Sequence, residues 1–117
     1  MKNIVKEKSF AFAVEIVNLC RGLQEQKEFT LSKQLIRSGT AVGALIREAE
    51  HAESKKDFIH KFAIAQKECN ETLYWLELLD ATNYIPETTF NKLENNATEL
   101  LKLITSIIKS SKAKLKN

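Results

Sequence analysis

Residues 34–79 read QLIRSGTAVGALIREAEHAESKKDFIHKFAIAQKECNETLYWLELL, and this stretch decides the fold. Two seams run through it. Leu35, Ser38, Val42, Leu45 and Ala49 step by three and four, and Phe58, Phe62, Ala65, Cys69, Thr72, Leu76 and Leu79 do the same. Small and apolar residues at that spacing share one face of a helix, the pattern of helices packed along their length. Between the seams, Ser54-Lys55-Lys56-Asp57 has the form of a capping box, in which a Ser hydroxyl accepts from the backbone N–H three residues on. The stretch predicts a helix from about Thr30 to His51, a tight turn, and a second helix from Ser54 to about Thr82.

Working outward, Asn83 suits the left-handed conformation that ends a helix, and Pro86 suits the first turn of the next. That next helix is predicted from about Pro86 to Ser111. Its seam is Phe90, Leu93, Ala97, Leu100, Ile104 and Ile107, widened by Leu101, Leu103 and Ile108. Upstream, a helix is predicted from about Ser9, as N-cap, to Gln26. Its apolar residues (Phe10, Phe12, Ala13, Val14, Ile16, Val17, Leu19, Cys20 and Leu23) cover more than one stripe. A helix apolar over so much of its surface is buried on more than one side, which in a small domain points to a partner subunit. Short connections favour antiparallel neighbours. The predicted fold class is all-α, an antiparallel up-down-up-down four-helix bundle, as one domain over residues 1–117 with a basic tail from about residue 109. With 3 Gly and 1 Pro in 117 residues, turn formers are too few for a β-sandwich or barrel. Gly39 and Gly43 lie one helical turn apart. A helical Gly costs about 1 kcal/mol against Ala, so the pair marks a place where another backbone comes close.

The net charge of +3 is sorted along the chain. Residues 1–8 carry Lys2, Lys6 and Lys8 against Glu7, and residues 102–117 carry Lys102, Lys109, Lys112, Lys114 and Lys116 with no acid. In an up-down-up-down bundle the start of the first helix and the end of the fourth share a pole, so the two lysine groups meet there. Such a pole is either a solvated end or a contact for RNA or DNA, and in the second case phosphate contact would dominate over sequence reading. Antiparallel pairing about the turn near residues 52 and 53 puts Arg37 near Glu68, Gln34 near Glu71 and Glu48 near Asp57. Arg37 and Glu68 read as an inter-helix ion pair setting register, with a ligand-contacting Arg as the other reading.

Catalytic and metal chemistry finds little footing. A carboxylate-bridged metal site in a bundle needs a Glu-x-x-His on each of two helices. Glu48-Ala49-Glu50-His51 has half of that pattern and Asp57-Phe58-Ile59-His60 imitates the other half, but both flank a turn. Arg47 and His51 are closer together than the Arg and His of helical ribonucleases of the higher-eukaryote-and-prokaryote nucleotide-binding type. No Gly-rich phosphate loop or catalytic triad is present. No enzyme activity, metal or cofactor is therefore expected. Tyr74 and Trp75 read as core or interface aromatics rather than a base-stacking platform. Cys20 and Cys69 lack metal or redox spacing and read as small buried hydrophobes in a reducing compartment. No signal peptide and no run of 18 apolar residues is evident, so a cytoplasmic protein without a membrane role is expected.

The stretch from Gln34 to Leu79 resembles the four-helix bundle family named after 23S rRNA intervening sequences. That family joins a Gln-Leu-x-Arg-Ser opening, a small-residue stretch, an Ile-x-Glu and a Lys-x-Asp-Phe helix start. It continues as an Ile-Ala-x-x-Glu-x-x-Glu-Thr segment ending in Trp-Leu. Here the pattern falls on Gln34, Leu35, Arg37, Ser38, Ile46, Glu48, Lys55, Asp57, Phe58, Ile64, Ala65, Glu68, Glu71, Thr72, Trp75 and Leu76. The chain departs from it at Leu45, where many relatives have Asn, at Arg47, where Ala or Glu is usual, and at Ala49, where Gly is common. The resemblance implies a bundle that assembles into a ring-like homopentamer. Related bundles serve as accessory variability proteins of diversity-generating retroelements and bind nucleic acid and a reverse transcriptase. Two readings follow: an oligomeric, non-catalytic bundle binding nucleic acid through its lysine pole, or a protein-interaction scaffold with a protein partner alone. A cryptic metal or nuclease enzyme stands third.

Overall fold

The structure, a computed structural model, describes residues 3–116. Four helices account for almost all of it: α1 (Ile4–Glu25), α2 (Thr30–Ala49), α3 (Lys55–Ala81) and α4 (Glu87–Leu115). Each packs on its neighbours in chain order, and α1 meets α4 to close the bundle along the thinnest of the four seams. The result is a rod of 51 × 24 × 21 Å, its length set by α4, whose 29 residues at 1.5 Å each span about 43 Å.

Local chemistry sets each helix end. Asn3 caps α1, its side chain accepting from the Lys6 N–H at 3.1 Å. The expected cap, Ser9, instead lies inside the helix, 1% exposed, and donates its hydroxyl to the Lys6 carbonyl at 3.0 Å. The helix starts earlier than expected because Asn is as good a cap as Ser, while Ser9 falls on the buried face beside Val5 and Phe12. Glu28 caps α2 from outside, its carboxylate accepting from the N–H groups of Leu31 (2.6 Å) and Ser32 (3.1 Å). Ser54 caps α3 by accepting from the Asp57 N–H at 3.0 Å, and Asp57 returns a bond to the Glu53 N–H at 3.2 Å. Lys27 (φ 65°) and Asn83 (φ 63°) take left-handed conformations beyond α1 and α3. Asn tolerates that region well, and Lys27 follows a turn in which its N–H bonds the Gln24 carbonyl at 2.9 Å.

The core is one layer between the four helices. Its fully buried side chains include Phe12, Ile16, Leu23, Leu35, Ile46, Leu76, Leu79, Leu100 and Ile104. Each expected seam is rotated slightly at an end. Ile46 is buried where Leu45 only packs at the edge, Ile59 takes the place of Phe58, and Ile108 that of Ile107. At Gly39 an added Cβ would stand 2.8 Å from Ile16 Cγ2, and at Gly43 it would stand 3.3 Å from the Ser9 carbonyl oxygen. The two glycines let α1 press onto α2, against a side chain at one position and a backbone at the other. No helix among the described residues is long and apolar enough to cross a membrane.

Candidate nucleic-acid interface

One pole of the bundle gathers the first turn of α1, the α2–α3 turn and the last turns of α4. Over residues 3–8, 47–57 and 109–116 it holds nine cations and five acids. The opposite pole, residues 21–33 and 77–88, holds three cations and five acids. A polyanion approaching the rod is therefore drawn to the first pole.

The lysines there are not equivalent. Lys2 lies outside the described residues. Lys6 is spent on Glu50 (3.1 Å) and Lys8 on Glu99. The expected merging of two lysine groups thus meets acids from the α2–α3 turn and from α4, which reasoning on the chain ends alone did not place there. Among the described residues, none of Lys102, Lys109, Lys112, Lys114 and Lys116 forms an ion pair. They are also carried on helix rather than a loose tail, since α4 runs to Leu115, beyond the expected end at Ser111. At 100° per residue, Lys102, Lys109 and Lys116 fall on one exposed line, with Lys112 beside it. From Lys102 to Lys116 that line spans about 21 Å, fourteen steps of the helix. Lys114 points to another side of α4, toward the α2–α3 turn, where it lines a cleft with Lys55 and Phe58.

Arg37 and Glu68 come together, Nη1 donating to Oε2 at 2.9 Å. The same guanidinium donates through Nη2 to Glu71, whose carboxylate also accepts from the Trp75 indole N–H at 2.9 Å. Gln34 does not take the Glu71 carboxylate; Arg37 reaches both acids. The indole bond, followed by the Arg37 contact, holds the Glu71 carboxyl below the usual glutamate range. The two carboxylates raise the Arg37 pKa in turn, Glu68 contributing first. Glu48 lines one surface cleft with Asp57, as the counting placed it, but pairs with Lys61 at 3.2 Å while Asp57 is occupied as a cap. Inside the same seam Thr72 donates its hydroxyl to Ser38 Oγ at 2.9 Å, with both residues fully buried.

Other positions resolve simply. Burial pushes the Cys20 and Cys69 thiols up to about 11, and each donates to a backbone carbonyl, of Ser32 and of Ala97. Among the described residues no three His, Cys, Asp or Glu side chains gather in a metal-holding group. Arg47 lies over the Phe10 ring at 5.2 Å. Phe10 and Val14 are 55% and 45% exposed, so much of the outer face of α1 stays bare. Beside them, Ala13, Val17 and Arg21 complete a shallow apolar groove.

Comparison with known proteins agrees with this architecture. A sequence model of the family described as 23S rRNA-intervening sequence protein matches residues 1–106. Among solved structures, the chain is similar to a protein of unknown function from the S23 ribosomal protein family of Bacteroides thetaiotaomicron, with 58% identity and a TM-score of 0.88. The match covers 90% of this chain and 98% of that one. No curated protein matches it.

Proposed function

The chain belongs to the 23S rRNA-intervening sequence protein family, and on that premise we propose that it is a non-catalytic, self-assembling cytoplasmic bundle that binds the phosphate backbone of RNA or DNA. The observation that carries this reading is the line of lysines from Lys102 on α4 to its C-cap Lys116, none in an ion pair among the described residues. A rigid helix presenting Lys102, Lys109, Lys112 and Lys116 along about 21 Å can meet several successive phosphates at once. The bare face of α1, with Phe10 and Val14 exposed, supports assembly into a homo-oligomer, five copies being the form that the family resemblance implies.

With Lys114 in the neighbouring cleft as a fifth, five phosphate contacts give a salt slope of roughly −3.5 to −4.5, so affinity for generic RNA should fall about 100-fold or more between 50 and 200 mM salt. Replacing Lys109, Lys112, Lys114 and Lys116 by Gln should flatten that slope by roughly 3 to 4 and weaken binding at low salt. An affinity that ignores both salt and the substitutions would overturn the reading. The bare α1 face favours the second reading, a scaffold for a protein partner. A well-folded oligomer that binds no nucleic acid, yet loses a protein partner on Val14→Ser, would establish that alternative.

A further inference from the structure

The cleft between the α2–α3 turn and the end of α4 joins an apolar wall to two lysines. It encloses about 480 Å³, within the range of small-ligand sites. Ala49, Ala52 and Phe58 supply its apolar wall, and Lys55, Lys114 and Ser111 line it beside them. Phe58 stands at a seam position in the sequence, yet Ile59 takes the buried place and Phe58 remains half-buried. It packs on the buried Phe62 with ring centroids 4.7 Å apart, so its ring is held firmly where it borders the cleft. The one carboxylate in the wall, Glu50, is neutralised by Lys6. Asp57, on the next turn, is held by the Glu53 N–H. Lys55 and Lys114 form no ion pair among the described residues.

A fixed aromatic ring in an apolar recess, flanked by two free ammonium groups, matches a flat ring joined to an anion. Resting on the backbone-binding reading above, we infer that this cleft seats one unpaired base of a single-stranded nucleic acid against Phe58, with its phosphate held by Lys55 and Lys114. The pole then prefers single strands. A duplex keeps its bases stacked inside and offers the cleft only phosphate, whereas every unpaired base has a face to stack on an aromatic side chain.

The test uses the intact protein with three labelled probes at one low salt concentration: a 12-residue oligodeoxyadenylate, an abasic deoxyribose-phosphate chain of equal length, and a 12-base-pair duplex. The oligodeoxyadenylate should bind about ten-fold more tightly than the abasic chain. Phe58→Leu should abolish that preference and leave abasic binding unchanged, while Phe58→Tyr should retain it. Lys55→Gln with Lys114→Gln should weaken both single-stranded probes. The wild-type comparison needs no variant, so poor folding of Phe58→Leu would not remove the test. Equal binding of the two single-stranded probes, or a preference that survives Phe58→Leu, overturns this inference and leaves the backbone reading standing. Failure of all three probes to bind overturns both.

Discussion

The seam between α2 and α3 and the seam between α1 and α4 are built differently. Across α2–α3, a buried hydroxyl pair joins Thr72 to Ser38, and Arg37 binds two carboxylates on successive turns of α3. Lys61–Glu48 closes the end beside the capped turn. The α1–α4 seam is the thinner one, and its polar links are Lys8–Glu99, Lys92–Glu15 and Asn96–Glu15, all at the edge. The first seam joins helices adjacent in sequence through a five-residue turn and fixes their register. The second only has to close the rod. Two of the surfaces proposed above as contacts, the α4 lysines and the bare α1 face, lie on the two helices of the looser seam. On that reading the α2–α3 hairpin holds the frame and borders the cleft at its turn, while α1 and α4 supply the broader surfaces.

The largest expected effect comes from cutting into the frame. Leu76 is completely buried on α3, and Leu76→Ala should cost about 2–5 kcal/mol. For a domain of this size that is a drop in Tm of roughly 10 °C or more. Val14→Ser, on the bare face of α1, should stay within about 0.5 kcal/mol in the isolated chain. Thermal unfolding at several protein concentrations separates the cases. If Val14→Ser costs as much as Leu76→Ala, and the loss grows as the protein is diluted, the α1 face is buried in an assembly. The contrast between the seams would then belong to the single chain alone.

A smaller effect separates the charges of the two seams. Arg37→Glu places a third carboxylate beside Glu68 and Glu71 and should cost about 1 kcal/mol, Arg37 being half exposed and its pairs screened by water. Adding Glu68→Arg should restore part of that. Lys8→Glu, facing Glu99 across α1–α4, should fall within the roughly 0.5 kcal/mol scatter of surface changes. Urea unfolding of the three variants measures this. A double variant no more stable than Arg37→Glu would show that the bidentate contact does not set the register.

The same contrast explains what could be read from residues alone. The α2–α3 hairpin was legible because its information is local: a three-four periodicity, a capping box, and charges whose pairing follows from distance to the turn. Arg37 and Glu68 could be matched by counting. That Arg37 also reaches Glu71 could not, since counting assigned that acid to Gln34, and the choice depends on side-chain length across the helices. At the termini the counting failed for physical reasons. Asn3 was passed over for Ser9 because caps are read from the apolar run that follows, and Lys6, Glu7 and Lys8 interrupt that run at the start of α1. The lysines at the shared pole were legible as a cluster. Their sorting into paired and unpaired groups was not, because Glu50 and Glu99 are distant in sequence from Lys6 and Lys8. The cleft beside Phe58 depends on a one-residue rotation of the seam, a shift that helical periodicity does not resolve.

The smallest expected effect is a pH dependence confined to the tight seam. Glu71 has its pKa lowered by the Trp75 indole N–H first and by Arg37 after it. A carboxyl with a lower pKa in the folded than in the unfolded chain adds stability above its unfolded value, about 4.3, and loses it as pH falls through the folded value. Trp75→Phe removes the indole donor and moves the folded pKa of Glu71 toward the ordinary one. The variant also loses some packing at every pH, so only the change with pH is informative. Urea midpoints at pH 7 and pH 3 should show wild type ahead by a wider margin at pH 7, with the gap narrowing on acidification. Glu71 is partly exposed, so the narrowing should be slight. Lys92→Gln, on the α1–α4 seam, removes the Lys92–Glu15 contact and serves as the comparison. If it narrows as much as Trp75→Phe does, acid sensitivity is spread over both seams. The α2–α3 network would then be no more tightly coupled than the edge pairs that close the rod.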